Sequence, residues 1–150
     1  LIVVGQFGGL SALTRQLSRA LRQRGAHVTP TDEPDASVQA AVANRFAATV
    51  YLGFEARSDA ASAICYYAVP GFESVGGRSL AHRLDRPLQE LGLDARIAGM
   101  RLPVLRETRM TAVLCSIGPV QHIVDVTPLI VDAVVASLEA WAAAPLDTGT

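Results

Sequence analysis

Residues 101–119, RLPVLRETRMTAVLCSIGP, are the most informative stretch of the chain. Within it, residues 111–117 form a run that is apolar except for Thr111 and Ser116, and Gly118-Pro119 ends the run. A run of this length and composition predicts a strand that is buried on both faces of a parallel sheet. Ligands of such sheets bind beyond the carboxyl ends of the strands, and Ser116 lies at that end. Ser116 is therefore the first candidate site residue.

Apolar strand-like runs alternate with helical patterns along the rest of the chain. Strands are predicted over residues 1–4, 27–31, 48–54 and 62–69, with a short strand early in 101–118, and helices over 10–25, 38–47, 80–93 and 127–144. We place helix caps at Ser37 and Gly25, and a break or kink at Pro87. This alternation predicts a single three-layer α/β domain, with a mostly parallel sheet of about six strands and helices on both faces. The domain should span residues 1–144, followed by a frayed tail over 145–150.

Composition narrows the functional class only in part. Half of the 150 residues are hydrophobic, which is enough for a packed core, and the net charge of −1 gives no argument for nucleic acid. No apolar run approaches the roughly 18 residues of a membrane span. Cys65 and Cys115 fall inside strand-like runs, so buried free thiols are favoured over a disulfide. The chain starts at Leu1 without a signal pattern, so we expect a piece of a longer protein, and its compartment stays unknown.

The string VLRETRMTAVLCSIG, residues 104–118, resembles the last motif of the type-3 family of zinc-dependent N-acetylmuramoyl-L-alanine amidases. That family cuts peptide stems from bacterial peptidoglycan and is usually exported to the cell envelope, although a cytoplasmic location stays open here. Its pattern is VLR-x-T-x-x-P-A-V-L-x-E-x-G, and the matching positions are Val104, Leu105, Arg106, Thr108, Ala112, Val113, Leu114 and Gly118. Thr111 replaces the family proline, and Ser116 stands at the place of the catalytic glutamate. The resemblance implies the amidase fold without its catalytic carboxylate.

The zinc ligands of that family are also replaced. Matching Gly8-Gly9 to the family Gly-His-Gly-Gly motif puts Phe7 at the first histidine, whereas a second alignment puts Gln6 at the glutamate ligand. Glu55 takes the place of the other histidine, and Arg57 replaces an asparagine. Catalytic zinc needs three ligands, an open position and a nearby base. The resemblance therefore implies no metal, no cofactor and no catalytic residue.

Two other arrangements of polar residues are weaker candidates. A Ser116–His122–Asp125 triad can be drawn, but it lacks a nucleophile elbow. His27 and His82, with His122, show no ligand spacing that would favour a relocated metal site. The glycine-rich loop after the first strand could bind an anion, but the family motif explains its glycines better.

We interpret the chain as a catalytically inactive amidase-like domain, a pseudoenzyme that acts in peptidoglycan metabolism by binding. Its ligand would be a peptidoglycan fragment or a cell-wall or division protein, held in a cleft lined by Phe7, Glu55, Arg57, Ser116 and His122. Arg57 can bind a carboxylate bidentately, or it can pair with a neighbouring acid in a solvated turn. The alternatives are an active zinc amidase completed by residues outside this chain, and a purely structural module.

Overall fold

A computed structural model describes residues 1–146, which form seven strands and five helices. The strands are β1 Ile2–Gln6, β2 Val28–Thr31, β3 Val50–Ala56, β4 Ala61–Val69, β5 Phe72–Glu73, β6 Asp94–Met100 and β7 Thr111–Ile117. The helices are α1 Ser11–Gln23, α2 Ala36–Arg45, α3 Val75–Glu90, α4 Pro103–Glu107 and α5 Val120–Ala143. None of the helices in this part of the chain is long and apolar enough to cross a membrane.

The strands form one mixed sheet in the order β2-β1-β3-β7-β4, with β6 pairing on the far side of β4. Strands β2, β1, β3 and β7 run parallel to one another. Strand β4 is antiparallel to β7 and parallel to β6, and β5 forms a short hairpin with β4. The predicted α/β fold with a mostly parallel sheet is confirmed.

Helices cover both faces of the sheet, as predicted. Helix α5 packs against α1 and α3 on one face, and α2 packs against α4 on the other. Each face has its own hydrophobic cluster, and β7 contributes to both: Val113 and Cys115 join the first cluster, and Ala112 and Leu114 join the second. Successive side chains of a strand point to opposite faces, so a strand buried on both sides must be apolar throughout. This explains the composition of residues 111–117.

Two secondary-structure predictions around the motif were wrong. The short strand expected early in residues 101–118 is helix α4, which starts at Pro103, a residue whose fixed φ suits the first helical position. The additional strand is β6, which precedes the motif. It is an edge strand whose Asp94, Arg96 and Met100 are exposed, so it lacks the apolar pattern of a central strand.

Helix boundaries also differ from the predictions. Helix α2 is capped by Asp35, whose Oδ1 accepts from the Ser37 backbone N–H at 2.8 Å, so Ser37 is not the cap. Helix α5 starts at Val120 and not at residue 127, and it runs through Pro128. The carbonyl that Pro128 leaves without a helical donor belongs to Val124, a residue on the exposed side of the helix where water can solvate the group.

Helix α3 continues through Pro87, where we predicted a break or kink. Proline has no N–H, so the Arg83 carbonyl loses its helical donor. The Ser137 hydroxyl of α5 lies 3.0 Å from that carbonyl oxygen and 2.8 Å from the Ala133 carbonyl oxygen of its own helix, and it shares its one proton between them. A contact between helices therefore supplies the hydrogen bond that the sequence of α3 cannot.

Cys65 and Cys115 are buried free thiols, as predicted. The predicted tail, 145–150, lies mostly outside the described residues, which end at 146.

Candidate functional site

The candidate site lies where β3 and β7 end side by side. The two strands are parallel and pair in register, so that Glu55 lies opposite Ser116. Their neighbours Phe54 and Cys115 belong to the hydrophobic cluster under α1, α3 and α5. Because side chains alternate along a strand, Glu55 and Ser116 point to the other face, which α2 and α4 cover. The fold thus brings together two polar residues that are 61 positions apart.

Ser116 is buried, with 4% of its surface exposed, and its hydroxyl donates to Glu55 Oε1 at 2.9 Å. The hydroxyl also lies 3.5 Å from the Nη1 atom of Arg57, a long contact in which the guanidinium donates. A buried hydroxyl with both a donor and an acceptor nearby is satisfied and needs no further partner. A carboxylate alone is too weak a base to activate a serine hydroxyl, whose pKa lies far above neutrality. The arrangement is therefore unsuited to nucleophilic catalysis.

The guanidinium of Arg57 connects this pair to an exposed acid. Arg57 Nε donates to Asp59 Oδ1 at 3.1 Å, and Nη2 approaches Oδ2 at 3.5 Å. The hydrogen bond from Arg57 lowers the pKa of Asp59, and the same bond raises the pKa of Arg57. Of the two roles left open for Arg57, pairing with a neighbouring acid is the one seen here, and that acid is Asp59. We call Glu55, Arg57, Asp59 and Ser116 the rim cluster.

The turn that carries Arg57 is fastened to the end of β7. The Arg57 backbone N–H donates to the Ile117 carbonyl at 2.7 Å, and the Gly118 N–H donates to the Ser62 hydroxyl at 3.2 Å. A Cβ atom at Gly118 would come within 2.5 Å of the Asp59 carbonyl oxygen, so only glycine fits there. The backbone around the rim cluster is therefore closely packed, and the position of the guanidinium follows from it.

The other two predicted site residues, Phe7 and His122, make other contacts. Phe7 follows β1 directly, its N–H donates to the Phe54 carbonyl at 3.1 Å, and its side chain packs on the second hydrophobic cluster. His122 was expected in a loop but lies in the first turn of α5, where its Nε2 is 2.8 Å from the Leu91 carbonyl oxygen. The Ser116–His122 contact that a triad requires is not formed among residues 1–146, because Ser116 donates to a carboxylate instead.

Solved protein structures with the same fold as this chain are known. No family model and no curated protein sequence matches the chain. Among solved structures, the catalytic domain of the N-acetylmuramoyl-L-alanine amidase CwlV from Bacillus (Paenibacillus) polymyxa var. colistinus superposes with a TM-score of 0.76 at 16% identity, covering 95% of this chain and 98% of that one. The chain has the fold of the N-acetylmuramoyl-L-alanine amidases. The resemblance predicted from residues 104–118 is confirmed at the level of fold.

Two further structures agree with this assignment of the fold. An amidase from Clostridium difficile 630 gives a TM-score of 0.76 at 14% identity, with 95% of this chain and 97% of that chain covered. The CwlD amidase from Clostridioides difficile, solved in complex with the GerS lipoprotein, gives 0.69 at 10% identity, with 95% and 98% covered. The likeness spans almost the whole length of each of these amidase chains.

The residues at the rim of this amidase fold do not suit a zinc ion. Within residues 1–146, no group of three or more His, Cys, Asp or Glu side chains lies close enough to hold a metal. Glu55 is one carboxylate, its partner Ser116 is a neutral hydroxyl, and the cation beside them is the Arg57 guanidinium. A tetrahedral zinc site needs three ligands of nitrogen, sulfur or carboxylate type. The side chains present at the rim do not supply that set.

Sequence reasoning missed Cys65 as a neighbour of the rim cluster. Burial is the main cause that raises the pKa of the Cys65 thiol to about 11, the Glu55 carboxylate raises it further, and Arg57 opposes the shift. Its thiol donates a weak hydrogen bond to Met100 Sδ at 3.6 Å. A thiol with so high a pKa is protonated at neutral pH and is a poor metal ligand or nucleophile. Only the register of β4 against β7 could have shown this proximity.

Proposed function

We propose that this chain is a non-catalytic amidase-like domain that acts in cell-wall metabolism by binding a peptide carboxylate at the rim cluster. The observation that carries the proposal is the hydrogen bond of 2.9 Å from Ser116 to Glu55, with Arg57 beside it. At the positions that the resemblance assigns to a metal ligand and a catalytic glutamate, the side chains satisfy one another. They leave neither an open metal position nor a free base.

The loss of hydrolysis follows from what metal-dependent amide cleavage requires. A zinc ion polarises the carbonyl and lowers the pKa of its bound water, and a carboxylate accepts the proton. Ser116 cannot accept that proton at neutral pH, and Glu55 alone cannot hold the ion. Binding without cleavage is the chemistry that the remaining groups support.

The ligand class follows from Arg57. The Arg57 side chain is 38% exposed, and its guanidinium forms a solvent-accessible ion pair with Asp59. Guanidinium groups bind carboxylates bidentately, so a carboxylate on a stem peptide could take the place of Asp59. Exposed ion pairs contribute little to stability, so this exchange costs little. We expect a peptide with a free carboxylate to be preferred over an uncharged one.

Two measurements on the same purified protein test the absence of catalysis. Elemental analysis after purification without chelator should find no stoichiometric zinc. Chromatography of muropeptides incubated with the protein and added zinc should show no released stem peptide. One zinc per chain, lost in Glu55→Ala, together with zinc-dependent product, would replace this proposal by that of an active amidase completed by residues outside this chain.

A calorimetric titration with muropeptides tests the binding role. The Arg57→Ala variant should bind about tenfold more weakly or worse, as expected for the loss of a charge-assisted hydrogen bond. Arg86→Ala is the matched control, because Arg86 is an exposed arginine of α3 that pairs with Glu90, outside the rim cluster. Equal affinities of wild type and both variants would remove the rim cluster from the binding site.

A protein ligand is the second candidate, and one observation favours it. CwlD, which shares this fold, was solved in complex with the GerS lipoprotein, so an amidase fold can bind a protein partner. An acidic segment of a cell-wall or division protein would offer Arg57 the same carboxylate. Pull-down from cell-envelope extracts with wild type, Arg57→Ala and Arg86→Ala tests this, and a partner retained equally by all three would exclude the rim cluster as its contact.

A further inference from the structure

A second concave site lies on the other face of the sheet, between helix α1 and the edge strand β2. It is a cavity of about 300 Å³ that is open to solvent. The residues that matter for its chemistry are Gln6, Arg15, Arg22 and Asp32. Gln6 pairs in register with Phe54, whose ring lies in the cluster on the α1 side, so Gln6 points away from the face that carries Glu55 and Ser116. The cavity is therefore distinct from the rim cluster.

Gln6 presents an unused hydrogen-bond donor to this cavity. The residue is buried, with 8% of its surface exposed, and its Oε1 accepts from the backbone N–H groups of Gly8 at 2.8 Å and Leu10 at 3.4 Å. These two donors fix the orientation of the side-chain amide. Within residues 1–146, no protein group accepts a hydrogen bond from its Nε2 atom. This atom is not among the fully buried ones, so it is open to the cavity. A ligand atom that accepts hydrogen bonds would satisfy it.

Opposite charges line this cavity without meeting. Arg15 and Arg22 lie two turns apart on α1, and Asp32 follows β2 on the other wall. No ion pair within 4.0 Å joins Asp32 to either arginine in the part of the chain that the structure describes. Arg22 donates one Nη2 hydrogen bond to the Val28 carbonyl at 2.9 Å, which holds its guanidinium against β2. The gap between the charges is the space that a charged ligand would fill.

We propose that this cavity binds a small zwitterion, namely a free amino acid or a short peptide with both ends unblocked. Its carboxylate would accept hydrogen bonds from Gln6 Nε2 and the guanidinium group of Arg15, because guanidinium binds carboxylate strongly. Its ammonium group would lie against Asp32. The volume is at the lower end of the range for ligand pockets, which suits one or two amino-acid residues. This proposal does not depend on the proposed function of the rim cluster.

Nuclear magnetic resonance can test whether this cavity binds a zwitterion, because the Gln6 side-chain amide gives its own pair of signals. The probes are alanyl-alanine, its N-acetylated form, its C-terminal amide and inorganic phosphate, each titrated to millimolar concentration. We expect alanyl-alanine to shift the Gln6 amide signals and each blocked form to bind about tenfold more weakly or worse. Gln6 signals that no probe moves would refute the proposal. Equal binding of phosphate or of the N-acetylated form would also refute it and would indicate a simple anion site.

Variants locate the binding and give a matched control. Arg15→Gln and Asp32→Asn should each weaken alanyl-alanine binding about tenfold, because each removes one charged partner. Gln6→Glu keeps an acceptor for the two backbone N–H groups but removes the donor, and it should abolish binding. Arg19→Gln is the control, since Arg19 lies on the same helix but does not line this cavity. A loss in Arg19→Gln as large as in Arg15→Gln would overturn the proposal.

Discussion

Replacing Ser116 by glutamate, the residue that the amidase motif has at this position, tests whether the rim cluster can accommodate a second carboxylate. In Ser116→Glu, a carboxylate replaces a hydroxyl that is 4% exposed and 2.9 Å from Glu55 Oε1. In a zinc enzyme the metal ion would compensate two neighbouring carboxylates. Among residues 1–146, the cation beside this pair is Arg57, whose guanidinium is already bonded to Asp59. We therefore expect the substitution to destabilise the fold and to restore no activity.

The size of the effect follows from Coulomb's law. Two unit charges roughly 4 Å apart repel by about 4 kcal/mol at an effective dielectric constant of about 20. The guanidinium of Arg57 and small movements of the side chains reduce this repulsion. We expect Ser116→Glu to lower the free energy of unfolding by about 2–3 kcal/mol at neutral pH. The repulsion also raises the folded-state pKa of the introduced carboxyl above its unfolded value.

Urea unfolding of Ser116→Glu and Ser116→Gln isolates the charge, because the two introduced side chains have the same size. The Glu variant should be the less stable at neutral pH. The raised pKa means that the charged carboxyl destabilises the folded state at pH values above this pKa. The difference in unfolding free energy between the Glu and Gln variants should therefore shrink as the pH falls below the folded-state pKa of the introduced carboxyl. Equal stability of both variants at neutral pH would refute the reasoning. A gain in stability of the Glu variant on adding zinc would do the same, since it would show a metal site.

Three further predictions concern the fold. A strong chelator should leave the melting temperature unchanged, because the described residues offer no three-ligand metal cluster, and a drop of several degrees would show a bound metal. Tyr51→Phe should cost about 1–3 kcal/mol in chemical unfolding because buried Gln39 Oε1 loses its donor at 2.6 Å, while partly buried Tyr67→Phe, the control, should change little. Gly118→Ala should cost about 1–3 kcal/mol because the new Cβ would press on the Asp59 carbonyl, and an unchanged unfolding midpoint would contradict this packing argument.

The sequence predicted correctly those strands and helices whose pattern of hydrophobic residues follows directly from their burial. Residues 111–117 are apolar because they contact both hydrophobic clusters, and this pattern identified β7 as a central strand. Helix α1 has its leucines on one face and its arginines on the other, so its position and its end near Gly25 could be read from the spacing. Such signals come from the physical environment of each residue.

Other elements depend on partners that lie far away in the sequence. Strand β6 is half exposed and is held by pairing with β4, which no local pattern shows. Helix α3 continues through Pro87 because Ser137, 50 positions later, donates to the Arg83 carbonyl. The prediction of a break used the correct local rule. It was wrong because a tertiary hydrogen bond replaced the one that proline removes.

The candidate site was predictable only as a set of positions. The alignment with the amidase motif brought Glu55 and Ser116 to one rim, but their hydrogen bond depends on the register of β3 against β7. The fork between Arg57 and Asp59 depends on a turn that is packed against Gly118. Side-chain rotamers and turn geometry depend on tertiary packing. The sequence could therefore predict which residues lie at the site, but not which hydrogen bonds they form with one another.

The hydrophobic core and the rim cluster consist of separate sets of residues. The hydrophobic clusters include β7 residues up to Ile117 but not Glu55 or Ser116. Losing a metal from a site with several carboxylates would leave uncompensated like charges, which are costly when buried. The resemblance predicts a histidine at position 55 and a glutamate at position 116. This chain has one carboxylate there, Glu55, and the Ser116 hydroxyl donates to it. One carboxylate beside one guanidinium involves no repulsion between like charges, and the Arg57 side chain is 38% exposed.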